Sequence, residues 1–255
     1  VPYFERLSES AFRATEHTGG AWNTTEQHIA PALGLLAHVV ETDRDRRGQD
    51  ALRVGRISYD ILGTLPIGEV ETSVQVLRPG RTIELVEARL GHGGRDAVVA
   101  RAWLMRGYDT SAIEGTSFTP IPAPEDLTSW DPTTVWAGGF IASAEVRRAQ
   151  EEPGRARFWV RSPLPLLDGE KIGEVARVAG LIDIANGMTV RVAPSEVAFP
   201  NLDLTLHLFR EPAGEWTGFD TTVSIGESGV GLTHSVLHDA RGPVGTSSQI
   251  LTVRP

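Results

Sequence analysis

The sequence predicts an α+β protein of two tandem repeats, each a long helix laid against a curved antiparallel sheet, and three observations predict it. Apolar and polar residues alternate through short β-branched segments parted by Pro and Gly, the pattern of half-buried antiparallel strands. The order helix, then strands, occurs twice. The second set also lies on the first at a constant shift. Pro66-Ile67-Gly68-Glu69 matches Pro212-Ala213-Gly214-Glu215, and Gly80, His92 and Arg95 match Gly226, His238 and Arg241, each 146 residues on (212 − 66 = 146). A period of that size marks a duplicated domain, since solenoid units run to roughly 20 to 50 residues. Joining the two sheets edge to edge spares each an unpaired strand.

The first repeat, 1–106, opens with a short strand at Ala11 to Ala14 and a turn at His17-Thr18-Gly19-Gly20. The first helix is expected from Asn23, which stands at capping-box spacing from Glu26, with Pro31 in the first turn and Leu33, Leu36, Ala37 and Val40 on one face. The charged run from Thr42 to Asp50 reads as a solvated loop. LRVGRISYDIL, GEVETSVQVL, TIELVEARL and DAVVARAWLM follow as four strands. Residues 107–138, rich in Pro, Ser, Thr and Asp, read as the linker. The second repeat, 139–255, gives strand-like FIASAEVRR and ARFWVRS, a long helix over Gly169 to Met188, and four more strands, from VAFPNLDLTLHLF to VGTSSQILTVR.

Composition narrows the function. The 255 residues are 40% hydrophobic and 22% charged, as in a globular protein with a sizeable core. A net charge of -9 and a pI near 5.3 argue against nucleic acid or an anionic membrane surface as partner. No window reaches the ~18 apolar residues of a membrane span, and the start VPYFERLSES lacks the pattern of a signal peptide. The absence of cysteine removes thiolate zinc sites and cysteine nucleophiles and suits a cytoplasmic location.

The chemical centre falls in the second helix. Ile172, Val175, Ala176, Ala179, Ile182, Asp183 and Asn186 follow helical spacing, so one carboxylate, Asp183, lies on a stripe that faces a core. Such a group costs several kcal/mol unless it is paired, hydrogen-bonded or neutral, which makes Asp183 either a tuned acid, base or nucleophile or a polar residue at a fraying helix end. At the 146-residue shift Ser224 and Gln249 fall opposite Arg78 and Trp103, and Asp183 on or near Ala37. Polar residues kept in only one half point to a single site, with the other half as wall. No G-x-S-x-G is present. His234 and His238 would stand ~13 Å apart on a strand, too far to share a metal.

The stretches GxWNxxEQHxAPxxGLLAH, SYDILGTLPIGEVE, Ala179-Gly180-Leu181-Ile182-Asp183, Leu202-Asp203-Leu204-Thr205-Leu206-His207 and Thr246-Ser247-Ser248-Gln249 together resemble the double-hotdog acyl-CoA thioesterase superfamily. The resemblance covers essentially the whole chain and is nearest to acyl-CoA thioesterase II and the actinobacterial-type thioesterase-like proteins. It implies a double hotdog that hydrolyses an acyl-CoA or related acyl thioester without metal or cofactor. In those relatives a helix Asp, a strand Ser or Thr and a late-strand Gln orient and activate the attacking water, roles that map onto Asp183, Ser224 and Gln249. Direct attack by the carboxylate is the variant mechanism. Gln27 and His28, at the first helix start, are expected to contact the substrate. Many relatives carry Gly-Gly after that Gln-His, where this chain has Ile29-Ala30. The alternative function is a non-catalytic acyl-CoA or lipid binder of the same fold. A homo-oligomer is a further family-level expectation.

Overall fold

The computed structural model describes residues 1–255. In chain order the elements are β1 (Phe4–Arg6), β2 (Ala11–Ala14), α1 (Ile29–Arg46), β3 (Leu52–Ile61), β4 (Glu69–Arg78), β5 (Ile83–His92) and β6 (Arg95–Arg106). After them come β7 (Ser129–Trp130), α2 (Gly139–Ser143), β8 (Glu145–Glu152), β9 (Arg155–Arg161), α3 (Glu174–Ala179), α4 (Ala185–Met188), β10 (Asp203–Leu208), β11 (Thr217–Ile225), β12 (Val230–Asp239) and β13 (Gly242–Thr252). All thirteen strands form one antiparallel sheet in the order β1-β2-β4-β5-β6-β3-β10-β13-β12-β11-β9-β8-β7. Its inner face closes on α1 and α3, and Leu33, Leu36, Ile57, Leu204 and Phe219 belong to one contiguous core.

The two halves meet at β3 and β10, which pair from Asp203↔Asp60 to His207↔Arg56. The ladders correct the shift read from the sequence by one residue. An irregularity between Leu90 and Gly91 recurs between Leu237 and His238, and the pair Ile83↔Met105 recurs as Val230↔Thr252, which sets the shift at 147 (237 − 90 = 147). The same shift carries the pair Tyr59↔Leu204 onto Leu206↔Ile57, another rung of the central ladder. The residues that suggested 146 all sit at or beside turns, where a one-residue length difference is absorbed. The correction matters because a one-residue slip in a strand moves every side chain to the other face.

Four boundaries differ from expectation. Helix α1 begins after His28, because Asn23 folds into a local turn in which its Oδ1 accepts from the Thr25 N–H at 3.0 Å. It continues to Arg46 through the supposed loop, where charges at helical spacing pair, as Arg47 Nε does with Asp43 at 2.7 Å. Phe140 to Ser143 are helical rather than extended. The second helix is broken: α3 ends at Gly180, and a 3-10 turn over Ile182–Ile184 leads into α4. Glycine is a weak helix former, but here it also permits contact. A Cβ on Gly34 of α1 would stand 2.8 Å from the Gly180 Cα, so the two helix backbones cross in touch.

Candidate active site

The break after Gly180 positions the acid. The 3-10 turn directs Asp183 into a cavity of about 160 Å³ beside the start of α1, where it is 5% exposed. Asn201, just before β10, donates from Nδ2 to Asp183 Oδ1 at 2.6 Å. The second oxygen, Oδ2, lies 3.6 Å from His28 Nδ1, beyond hydrogen-bond length. Burial pushes the Asp183 carboxyl up to about 7, against the opposing pull of the Asn201 bond.

His28 lines the same cavity as the N-cap of α1. Its Nδ1 accepts from the Ala30 N–H at 3.2 Å, which fixes the tautomer with the proton on Nε2. Burial pushes the imidazole down to about 3, so it is neutral near pH 7. The ring lies 4.4 Å from that of Phe140. Ala30 N–H is used by this cap and Pro31 has none, so Ile29 carries the first-turn N–H with no partner at this helix end. Ile29 also lines the cavity, at the first of the two positions where many relatives carry Gly-Gly. Gln27 reaches the cavity wall, but its Nε2 is engaged by the Pro66 carbonyl at 2.8 Å.

The remaining two sequence candidates divide. Gln249 is buried on the inner face of β13, with Nε2 donating to the Ile182 carbonyl at 3.2 Å and Oε1 without a partner. It thus holds the residue next to Asp183 from behind. Its counterpart at the 147 shift is Ala102, a core residue, rather than Trp103. Ser224 is exposed on the outer face of β11 and is not brought to the site. Neighbouring Val223 points inward, and the register of β11 therefore turns Ser224 away. The hydroxyl expected beside the acid is replaced by the amide of Asn201. Sequence reasoning missed Asn201 because it precedes its strand and carries no alternation signal; its place immediately before Leu202-Asp203 was the one available cue.

The apolar wall includes Trp136, Ile141, Ile184 and Met188. Trp136 comes from the linker and donates from Nε1 to the Gly187 carbonyl at 2.9 Å, over a glycine whose added Cβ would meet the indole at 3.2 Å. Trp22 packs edge-on against Trp136 and Phe199 and remains 47% exposed at the mouth. No Lys or Arg lines the cavity. A buried carboxyl of raised affinity for protons beside an apolar wall forms an arrangement suited to activating water against a carbonyl carbon.

The acyl-CoA thioesterase N-terminal domain model matches residues 18–105, and the C-terminal domain model matches residues 118–253. No curated protein sequence matches the chain. Among solved structures, the chain is similar to a thioesterase candidate from Novosphingobium aromaticivorans, at 20% identity and a TM-score of 0.74 with 100% of both chains covered. It is also similar to a protein of unknown function with a hot dog fold from Alicyclobacillus acidocaldarius, at 10% identity and a TM-score of 0.77 over 98% of this chain and 95% of that one. An acyl-CoA thioesterase II from Mycobacterium marinum matches at 17% identity and a TM-score of 0.69 over 98% and 95%. At these identities the likeness is one of fold, the α+β double hotdog.

Proposed function

The chain belongs to the acyl-CoA thioesterase family, and we propose that it hydrolyses an acyl-CoA or related acyl thioester by carboxylate-activated water. The observation that carries this reading is the state of Asp183: a buried carboxyl on a cavity it shares with Trp136, Ile141, Ile184 and Met188, held by one side-chain hydrogen bond and shifted to about 7. A base with a pKa near the working pH is partly ionised and still strong enough to take a proton.

In this mechanism Asn201 fixes Oδ1 and leaves Oδ2 to face a water on the thioester carbonyl carbon. The water oxygen forms the new C–O bond as its proton passes to Oδ2. The carbonyl becomes an oxyanion, for which the Ile29 N–H and the His28 Nε2–H are the donors. A neutral imidazole suits that task, since it gives a hydrogen bond without giving up its proton. Collapse of the tetrahedral intermediate breaks the C–S bond, and the leaving thiolate takes the proton from Asp183. Gln249 acts through the backbone, by holding the Ile182 carbonyl and with it the turn that aims Asp183. Trp136 and its apolar neighbours receive the acyl group.

The test is thiol release from a panel of acyl-CoA esters of increasing chain length, with the Asp183→Asn protein as control. Release by the parent and its loss in the variant are expected. Binding of the esters with no release by the parent would favour the non-catalytic binder.

A further inference from the structure

The 147-residue shift makes a specific demand on the other half of the molecule: the cavity of Asp183 has a mate. It is present as a cavity of about 440 Å³ at the far end of α1. His28, Ile61, Met188 and Asn201, which line the first cavity, shift onto Val175, Leu208, Glu41 and Val54, which line the second. The reacting groups are erased there. On the strands Val54 stands for Asn201 and Ala102 for Gln249, and on the helix the place of Asp183 falls on Leu36 and Ala37; all four are buried.

What the mate gains is different in kind. The first cavity has no lysine or arginine on its wall; the second has Arg44, Arg53, Arg106 and Arg210. Three of these are engaged: Arg53 pairs with Glu211 at 2.7 Å, Arg210 with Asp239 at 2.6 Å, and Arg44 with Asp45 at 2.7 Å. Arg106 makes no ion pair. Beside it on the rim Tyr108 is 71% exposed and offers an aromatic face. A free guanidinium next to an exposed ring is a combination that holds a phosphate and a base together. Deeper in, Glu41 occupies the place of Met188, with its Oε2 buried and without a partner. Burial pushes this carboxyl up to about 7, so in its protonated form it has a hydrogen to offer a carbonyl oxygen.

We propose that this second cavity is a non-hydrolytic binding site for an acyl-CoA, with the acyl group among Val54, Val175 and Leu208 and the phosphorylated tail at Arg106 and Tyr108. The inference rests on the first cavity being an acyl-thioester site, since it takes the ligand class from that reading. The Glu41 carboxyl has no histidine, asparagine or glutamine beside it on this wall, so it lacks the amide that holds Asp183 and the imidazole donor for an oxyanion, and a bound thioester survives there. The chain would then hold one substrate where it is cleaved and a second where it is kept.

Calorimetric titration of the full chain with the hydrolysis-resistant thioether analogue of hexanoyl-CoA tests this. Two equivalents per chain are expected. Arg106→Glu, on an exposed and unpaired side chain, should weaken one of the two by about tenfold, the value of a charge-assisted hydrogen bond, without changing kcat for thiol release. Val54→Trp should abolish the same equivalent, and retained thiol release would show that the fold is intact. A single equivalent indifferent to Arg106→Glu would overturn the proposal. Equally tight binding of free hexanoate at the second site would also overturn it, because nothing beyond the acyl group would then be recognised. Two equivalents without any thiol release by the parent would sink the hydrolase reading and leave the second site standing; release with one equivalent would do the reverse.

Discussion

The Asn201 amide donates to Asp183 Oδ1 at 2.6 Å, and this bond joins the broken helix of the second repeat to the start of the central strand β10. It opposes the burial that raises the Asp183 carboxyl, and it leaves Oδ2 as the working oxygen.

Replacing Asp183 by Asn keeps the shape and removes the base. Turnover of a good acyl-CoA is expected to fall by roughly 10²–10⁴-fold, the usual contribution of general-base catalysis, with little change in substrate binding. Single-turnover thiol release beside analogue titration measures both. Normal hydrolysis by the variant would remove Asp183 from the mechanism.

The same residue sets a pH dependence of stability. Its folded pKa of about 7 exceeds its ordinary 3.8, so between those values the folded state holds a proton that the unfolded state releases. Stability therefore falls as pH rises through that window, and Glu41, raised from 4.5 to about 7, acts in the same direction. His28, lowered from 6.5 to about 3, acts oppositely: the unfolded state takes up the proton, and stability rises with pH until about 6.5. Asp183→Asn should accordingly gain stability over the parent at pH 8 and match it near pH 4. Urea midpoints at the two pH values check this; an equal difference at both would show that Asp183 is not protonated in the fold.

Asn201→Ala removes the one side-chain bond that favours the Asp183 carboxylate. The acid limb of the pH–rate profile should move up by about one to two units, the equivalent of a hydrogen bond to a charged group. Activity lost at pH 7 should return in large part by pH 9. A uniform loss at every pH would make Asn201 a contact of the substrate rather than a holder of the base.

Gln249 and Ser224 should behave unlike one another. Gln249→Ala leaves the Ile182 carbonyl without its donor in the core and should destabilise by about 1–3 kcal/mol while lowering kcat. Ser224→Ala changes an exposed hydroxyl and should stay within about 0.5 kcal/mol with full activity. Loss of activity in Ser224→Ala would contradict the strand register described for β11.

Gly34→Ala tests the helix crossing. The new methyl would stand 2.8 Å from the Gly180 Cα and 3.0 Å from the Ala176 carbonyl, both backbone and unable to swing aside. Destabilisation of about 1–3 kcal/mol is expected in thermal or urea unfolding, the range of an overpacked core. Parent-like stability would mean that the helices have room to part.

The strands, the repeat and the buried acid were legible in the sequence, because each leaves a local or periodic mark. Alternation placed the strands from Leu52 to Arg106, and helical spacing put Asp183 among Val175, Ala179 and Ile182. Face and partnership were not legible. Whether a strand residue points in or out turns on a register of one, and the turn residues that betrayed the repeat are those where a one-residue difference hides. Ser224, assigned to the site by the resemblance, faces out of β11, and the slip of one sets Gln249 opposite Trp103 instead of Ala102. The N-cap of α1 fell to His28 because Asn23 has a closer partner in Thr25, a competition settled by the folded loop. Asn201 entered beside Asp183 only when the central pairing of β3 and β10 set the start of β10 under the broken helix. A side chain's partner is fixed by what the rest of the chain brings within three ångströms, and that is a property of the packed molecule.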